Sequence, residues 1–202
     1  MEGLLRSVEG CDKMDFPLIF YGIVLLFGLY CASPYSEKMS PVFSSKKNRV
    51  LLGLIVVILS GYLISAHTFW LHQKYNEMGG SGGCSAFSVF SCQDVISNNE
   101  YNADPLFGIP WGLLGMMAFS LMAVISVSVF RHSDADWVKN WLTAGTAMSG
   151  FGVLIAIYLV YVEIFKMGVF CQYCTGAHIA DLVSFGMFYY LMSMHESDSW
   201  AS

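Results

Sequence analysis

Long apolar runs separated by polar stretches set the pattern of this chain. Residues 16–33 form the first run. It is long enough to cross a bilayer, because roughly 20 apolar residues rising about 1.5 Å each cover a core about 30 Å thick. Residues 34–48 read as a loop, since Pro34, Pro41, Ser44, Ser45, Lys46 and Lys47 are poor guests in lipid. The second run, from Val50 to about Leu71, ends on Trp70 and His72 in the manner of an interfacial belt. Residues 73–105 are polar and turn-rich, with Gly79-Gly80-Ser81-Gly82-Gly83 and Asn98-Asn99-Glu100 giving a flexible extramembrane loop. The third run, 106–130, opens with Phe107-Gly108-Ile109-Pro110-Trp111, which puts a proline where the first turn of a helix tolerates one. Residues 131–140 are a short polar link, 141–165 the fourth run, and a fifth extends from near Cys174 to near Met194 before the tail His195-Glu196-Ser197-Asp198. The pattern predicts an all-α integral membrane protein with five spans. Gly112, Gly115, Gly145, Ser149, Gly150 and Gly152 are expected where helices approach closely.

Composition agrees. Of 202 residues, 55% are hydrophobic and 12% charged, and the mean hydropathy of +0.55 is too high for an ordinary soluble domain of this length. A net charge of -5 leaves no basic footprint for nucleic acid. Residues 1–15 mix Glu2, Glu9, Asp12 and Asp15 with Arg6 and Lys13, unlike the basic start of a signal peptide, so the first apolar run is expected to be retained. With five spans, one side holds Lys38, Lys46, Lys47, Arg49, Arg131 and Lys139, the other Arg6, Lys13, Lys74 and Lys166. The first side, which has the Lys46-Lys47-Asn48-Arg49 cluster against the second run, is expected to be cytoplasmic.

Six cysteines then acquire sides: Cys84, Cys92, Cys171 and Cys174 face outward, Cys11 lies just outside the first run on that same face, and Cys31 sits near the cytoplasmic end. The outward face is the oxidising one. Cys11 and Cys31 are 20 residues apart, about 30 Å along a helix, and cannot pair; Cys31 is expected to be inert. Cys171-Gln172-Tyr173-Cys174 opens the fifth run, where a helix start stabilises a thiolate and two close sulfurs form an exchangeable disulfide. Cys84 and Cys92 lie in the glycine-hinged loop, a mobile pair able to reach both an outside partner and the fixed pair, as thiol–disulfide exchange requires. A purely structural Cys84–Cys92 disulfide remains an alternative. A four-cysteine zinc site fits less well, because seven residues separate Cys84 from Cys92 and structural zinc uses shorter knuckles. His178 and Asp181 lie four and seven residues past Cys174, on its helical face one and two turns deeper, and ionisable residues inside a span are functional candidates. His67, close to the outer end of the second run, is read as a satisfied interhelical histidine in preference to a contact with a bound substrate, and Glu163 as interfacial.

The run Cys84-Ser85-Ala86-Phe87-Ser88-Val89-Phe90-Ser91-Cys92, then Ser97, then Phe107-Gly108-Ile109-Pro110, then Cys171-Gln172-Tyr173-Cys174 resembles the vitamin K epoxide reductase family over residues 50–194. The resemblance implies a four-helix transmembrane bundle around a quinone, preceded here by one extra N-terminal helix. It makes Cys174 the cysteine beside the quinone and Cys171 its disulfide partner, with Cys92 attacking Cys171 and Cys84 exchanging with a thioredoxin-like protein. Ser97 corresponds to a loop serine of the family, followed here by Asn98 where vertebrate members have a second serine. His178 stands where vertebrate members carry a ring-contacting tyrosine, and Asp104 near the asparagine that hydrogen-bonds the quinone. Both departures bear against epoxide reduction and leave quinone reduction open. Phe107, Trp111 and Phe119 are candidates for packing on the ring.

The organisation expected is an N-terminal tail, extra helix and loop at 1–48, a catalytic membrane domain at 49–195 with its outward redox loop at 72–106, and a tail at 196–202. The function expected is a thiol oxidoreductase of the plasma membrane, active on the extracytoplasmic face. It would pass electrons from a separate thioredoxin-like partner to a ubiquinone, menaquinone or vitamin K type quinone, without a metal, in support of disulfide formation. The alternatives are vitamin K epoxide and quinone reduction in the endoplasmic reticulum, with a lumenal site, and a non-catalytic membrane protein braced by disulfides.

Overall fold

The structure, a computed structural model, describes residues 2–38, 41–77, 95–96, 101–105, 107–197 and 200, without the side chains of 2–16 and 41. Five long helices run through these residues: α1 (Glu2–Ala32), α2 (Lys46–Glu77), α3 (Trp111–Arg131), α4 (Val138–Val162) and α5 (Gln172–Glu196). Two short 3-10 turns, Pro34–Lys38 and Pro41–Phe43, fill the expected loop between α1 and α2, and α4 continues through a π turn, Glu163–Met167. Among the described residues there is no strand; Ala103 and Pro110 form an isolated bridge, and Phe170 is a further bridge residue.

Helix α2 packs against α1, α3 and α5, and α4 packs mainly against α5 and also against α3, so α2 to α5 surround a common interior and α1 lies against α2. One apolar cluster fills the middle of this bundle, with Leu51, Leu54, Ile58, Met122, Leu142, Phe188 and Leu191 at its centre. A second gathers Ile64, Leu71, Tyr75, Val95, Ile96, Cys171 and Tyr173 at the end where α5 begins. The opposite end is tied by charge: Arg49 Nη1 lies 3.1 Å from Glu37 Oε2, Lys47 Nζ 3.7 Å from Asp134 and Lys139 Nζ 3.6 Å from Glu196. The Trp200 indole N–H donates to the Ser133 carbonyl there, at 2.8 Å.

Helix α2, helix α3 and the continuous helix Val138–Met167 are each long and apolar enough to cross a membrane. Among the described side chains of α1 the apolar stretch is Pro17–Ala32, and α5 is not among the three. The reason in α5 is its inward face. Asp181 and Ser184 are buried in the bundle while Leu182 and Tyr189 point outward, and a mean over all positions weighs the inward polar groups as if they met lipid. The exterior itself is apolar: Ile19, Phe20 and Leu26 on α1, Leu121 and Val124 on α3, and Phe151, Leu154 and Ile157 on α4 are all exposed. Such a surface belongs in a hydrocarbon core rather than in water, and this is a membrane protein.

Three boundaries differ from the hydropathy pattern. Helix α1 begins at Glu2 rather than Phe16, because charges exclude a segment from lipid but not from a helix. Helix α2 likewise starts at Lys46 and outruns its apolar stretch to Glu77. Helix α3 starts later than expected, with Pro110 as its N-cap rather than inside its first turn. The Pro110 carbonyl accepts from the N–H groups of Leu113 (2.9 Å) and Leu114 (3.2 Å), while residues 107–109 belong to a turn. The small residues sit at close approaches: a Cβ on Gly112 would stand 2.8 Å from the Phe69 backbone nitrogen, and one on Gly152 would stand 2.5 Å from Asp181 Oδ2.

Candidate functional site

The CxxC lies where the chain re-enters the bundle. Gly168, at φ 67°, takes the left-handed conformation that ends helices and needs no Cβ; the chain then runs extended to Cys171. Cys171, at φ -98° and ψ 111°, is the N-cap of α5, and its Sγ accepts from the Cys174 N–H at 3.3 Å. A sulfur therefore takes the place of the usual capping oxygen and receives one of the unsatisfied N–H groups of the first turn. Cys171 is fully buried, whereas Cys174 is half-buried.

Tyr173, between the two cysteines, is buried and its ring stacks on His67 at 4.9 Å with 16° between planes. His67 Nδ1 lies 2.9 Å from the Tyr21 hydroxyl of α1, and the Trp70 ring meets His67 edge-on at 5.5 Å. His67 is thus an interhelical histidine that links α1 to the CxxC, but not the fully satisfied one expected, since its Nε2 is buried with no hydrogen-bond partner among the described residues. Val95 and Ile96, just after the loop cysteines, pack in the same cluster as Cys171. Asn102 is buried, donating to the Ile96 carbonyl at 2.6 Å, with Nδ2 2.8 Å from His72 Nδ1. Sequence reasoning did not single out Asn102; its only signal was an asparagine between turn residues.

Glu163 is the clearest correction. Expected at the membrane interface, it is 3% exposed. It is the first residue of the π turn that carries α4 toward the CxxC, and its carboxylate is hydrogen-bonded to the Cys171 backbone N–H and to the Cys174 side chain. Its Oε2 has no hydrogen-bond partner among the described residues.

Below the CxxC a cavity of about 150 Å³ lies between α2, α3, α4 and α5. Cys174, His178, Asp181, Trp111 and Phe119 line it together with Gly152, so five of the residues singled out from sequence as candidates for the chemistry come together. Two buried polar atoms in these walls, His178 Nδ1 and Asp181 Oδ2, have no hydrogen-bond partner among the described residues. Asp104 and Phe107 lie outside the lining, in the turn before α3: Asp104 Oδ2 accepts from the Phe107 N–H at 2.8 Å, and the Phe107 ring is 79% exposed. Cys31 is buried at the far end of α1. Cys84, Cys92, Ser97 and the 79–83 hinge lie outside the described residues, as does the side chain of Cys11.

A helical membrane bundle with a cysteine pair at a helix mouth, one sulfur reaching an apolar cavity, belongs to the membrane redox proteins. The model of the vitamin K epoxide reductase family matches residues 47–189, and the chain belongs to that family. Its members are oxidoreductases. The match takes in α2, α3, α4 and most of α5, and leaves α1 outside. Comparison with curated proteins gave no match.

Proposed function

We propose that the chain is a quinone-dependent thiol:disulfide oxidoreductase that relays electrons from a thioredoxin-like protein, through Cys84/Cys92 and then Cys171/Cys174, to a membrane quinone. The observation that carries this reading is Cys174 on the wall of the cavity between the four helices. A cavity of about 150 Å³ is the size that holds a single benzene ring. Its walls are mostly apolar, and His178 Nδ1 and Asp181 Oδ2 offer polar atoms with no partner among the described residues: a protonated His178 Nδ1 or Asp181 carboxyl would donate to a quinone oxygen, and their unprotonated forms would accept from the hydroquinone O–H. The quinone is the substrate that accepts electrons, of the ubiquinone, menaquinone or vitamin K type. Trp111 supplies ring contact; Phe107, Asp104 and Ser97 are assigned to loop and entrance roles when the outward loop docks.

In this reading the loop pair is reduced by the partner, and Cys92 attacks the Cys171–Cys174 disulfide at Cys171. Cys84 then displaces Cys92, which re-forms the loop disulfide and leaves both CxxC sulfurs reduced. The final step joins Cys171 to Cys174: two S–H bonds break, one S–S bond forms, and two electrons and two protons pass to the quinone. Helices α2 to α5 are the quinone-binding bundle, α1 is an additional span, and five spans put the CxxC on the extracytoplasmic face of a plasma membrane. The lysine and arginine cluster at the other end of the bundle supports that orientation.

The test is direct. Purified protein supplied with a dithiol should reduce a soluble quinone analogue, followed by absorbance, and the same protein should be reoxidised by quinone after reduction by a thioredoxin-like protein. A structural disulfide would resist the mild reductant, and no quinone would be consumed.

A further inference from the structure

The two cysteines of the CxxC are held by different groups. Cys171 Sγ receives an N–H at the start of α5, a position where backbone donors and the helix dipole favour a charged sulfur. Cys174 instead meets a carboxylate, for Glu163 is hydrogen-bonded to its side chain and to the Cys171 N–H. Glu163 is 3% exposed and Oε2 has no hydrogen-bond partner among the described residues. Burying a carboxylate with one oxygen unsatisfied is costly, and simple bracing of the Cys171 N–H does not require a charge. His178 and Asp181 line the cavity with Cys174, one and two turns deeper along α5.

We propose that Glu163 is the general base that takes the Cys174 proton as the dithiol is oxidised, an inference that rests on the quinone-coupled reading above. The Cys174 S–H bond breaks toward the Glu163 carboxylate, which becomes a carboxylic acid. The S–S bond to Cys171 forms as Cys171 gives up its own proton, and the two electrons reduce the quinone to its hydroquinone. Two protons leave the thiols and two are taken up by the quinone oxygens, one of them by way of Glu163. Glu163 ends the cycle deprotonated.

Glu163→Gln keeps the size and an acceptor for the Cys171 N–H but cannot take a proton. A general base contributes roughly 100-fold or more, so kcat for dithiol-driven quinone reduction by the full-length chain should fall by about that factor. KM for the quinone should stay unchanged, because Glu163 does not line the cavity. In a Cys171→Ser background, alkylation of Cys174 by iodoacetamide, resolved by peptide mass spectrometry, should slow by about tenfold or more when Glu163→Gln is added, since only the thiolate reacts. A bracing role would lower the unfolding temperature and leave both rates alone; a kcat within about threefold of the parent, or unchanged alkylation, overturns the proposal. If the Gln chain does not fold, Glu163→Asp carries the same test: withdrawal of the carboxylate by about one bond can cost up to 100-fold, and an undiminished kcat would count against a base. Should the parent protein reduce no quinone while Glu163→Gln still slows alkylation, the quinone-coupled reading fails and the role of Glu163 toward Cys174 stands.

Discussion

Cys174 is the residue on which the proposed chemistry converges, because it belongs both to the CxxC and to the cavity wall. Cys174→Ala should abolish quinone reduction while the protein still inserts and folds, since a half-buried sulfur leaves little packing behind; normal turnover in that variant would remove the CxxC from the mechanism. The loop cysteines are separable by trapping. Mixed disulfides accumulate when the resolving thiol is missing. Cys92→Ser should therefore hold Cys84 bonded to the carrier protein, and Cys84→Ser should hold Cys92 bonded to Cys171. Non-reducing mass spectrometry reads both. A Cys84–Cys171 bond in the first variant, with no Cys92–Cys171 bond in the second, would reverse the two roles. Cys84 and Cys92 lie outside the described residues. The CxxC was legible from its spacing. Glu163 was not, because a lone glutamate near the end of an apolar run reads as interfacial until the turn that follows is seen to fold it under the CxxC.

Among the helices, α1 is the informative one, since the family match begins at residue 47 and α1 precedes it. It nevertheless reaches the site: Tyr21 meets His67, and His67 stacks on Tyr173 between the cysteines. Close backbone contact supports the pairing, with Gly28 of α1 set against Gly53 and Val57 of α2. Tyr21→Phe deletes one hydroxyl and should destabilise the protein by about 1 kcal/mol, the net worth of a typical hydrogen bond, read as a lower midpoint of thermal unfolding in detergent. Tyr21→Ala should cost more, because ring packing is lost as well. If both variants unfold with the parent, α1 does not brace the CxxC. Hydropathy identified the apolar part of this helix but carried no information about its partner, and neither tyrosine nor histidine has a pattern that pairs them across 46 residues.

For the whole molecule, the orientation is what makes the redox assignment meaningful, since disulfides persist on the oxidising side of a membrane. Asp134 is a suitable reporter for the opposite face: its side chain is 92% exposed, and its surface ion pair with Lys47 is worth about 1 kcal/mol or less. An impermeant thiol reagent applied from outside should label reduced Cys84 and Cys92 in intact cells, and should label Asp134→Cys only after permeabilisation. The opposite result inverts the orientation and the relay with it. Cys31 is a poorer reporter because it is buried.

The sequence by itself determined that this is a helical membrane protein, where three of its apolar helices run, that a CxxC stands at a helix mouth, and which family it resembles. Those features are sums or spacings along the chain: twenty apolar residues are apolar whatever they touch, and two cysteines three apart on a helix start are always neighbours. Tertiary structure decided the rest. It placed Cys174, His178, Asp181 and Trp111 around one cavity, kept Phe107 outside it, turned the polar face of α5 inward and buried Glu163 beside the cysteines. Each of these depends on contacts between residues distant in sequence. Burial of a polar group is set by what packs over it, and a one-dimensional hydropathy pattern does not contain that term.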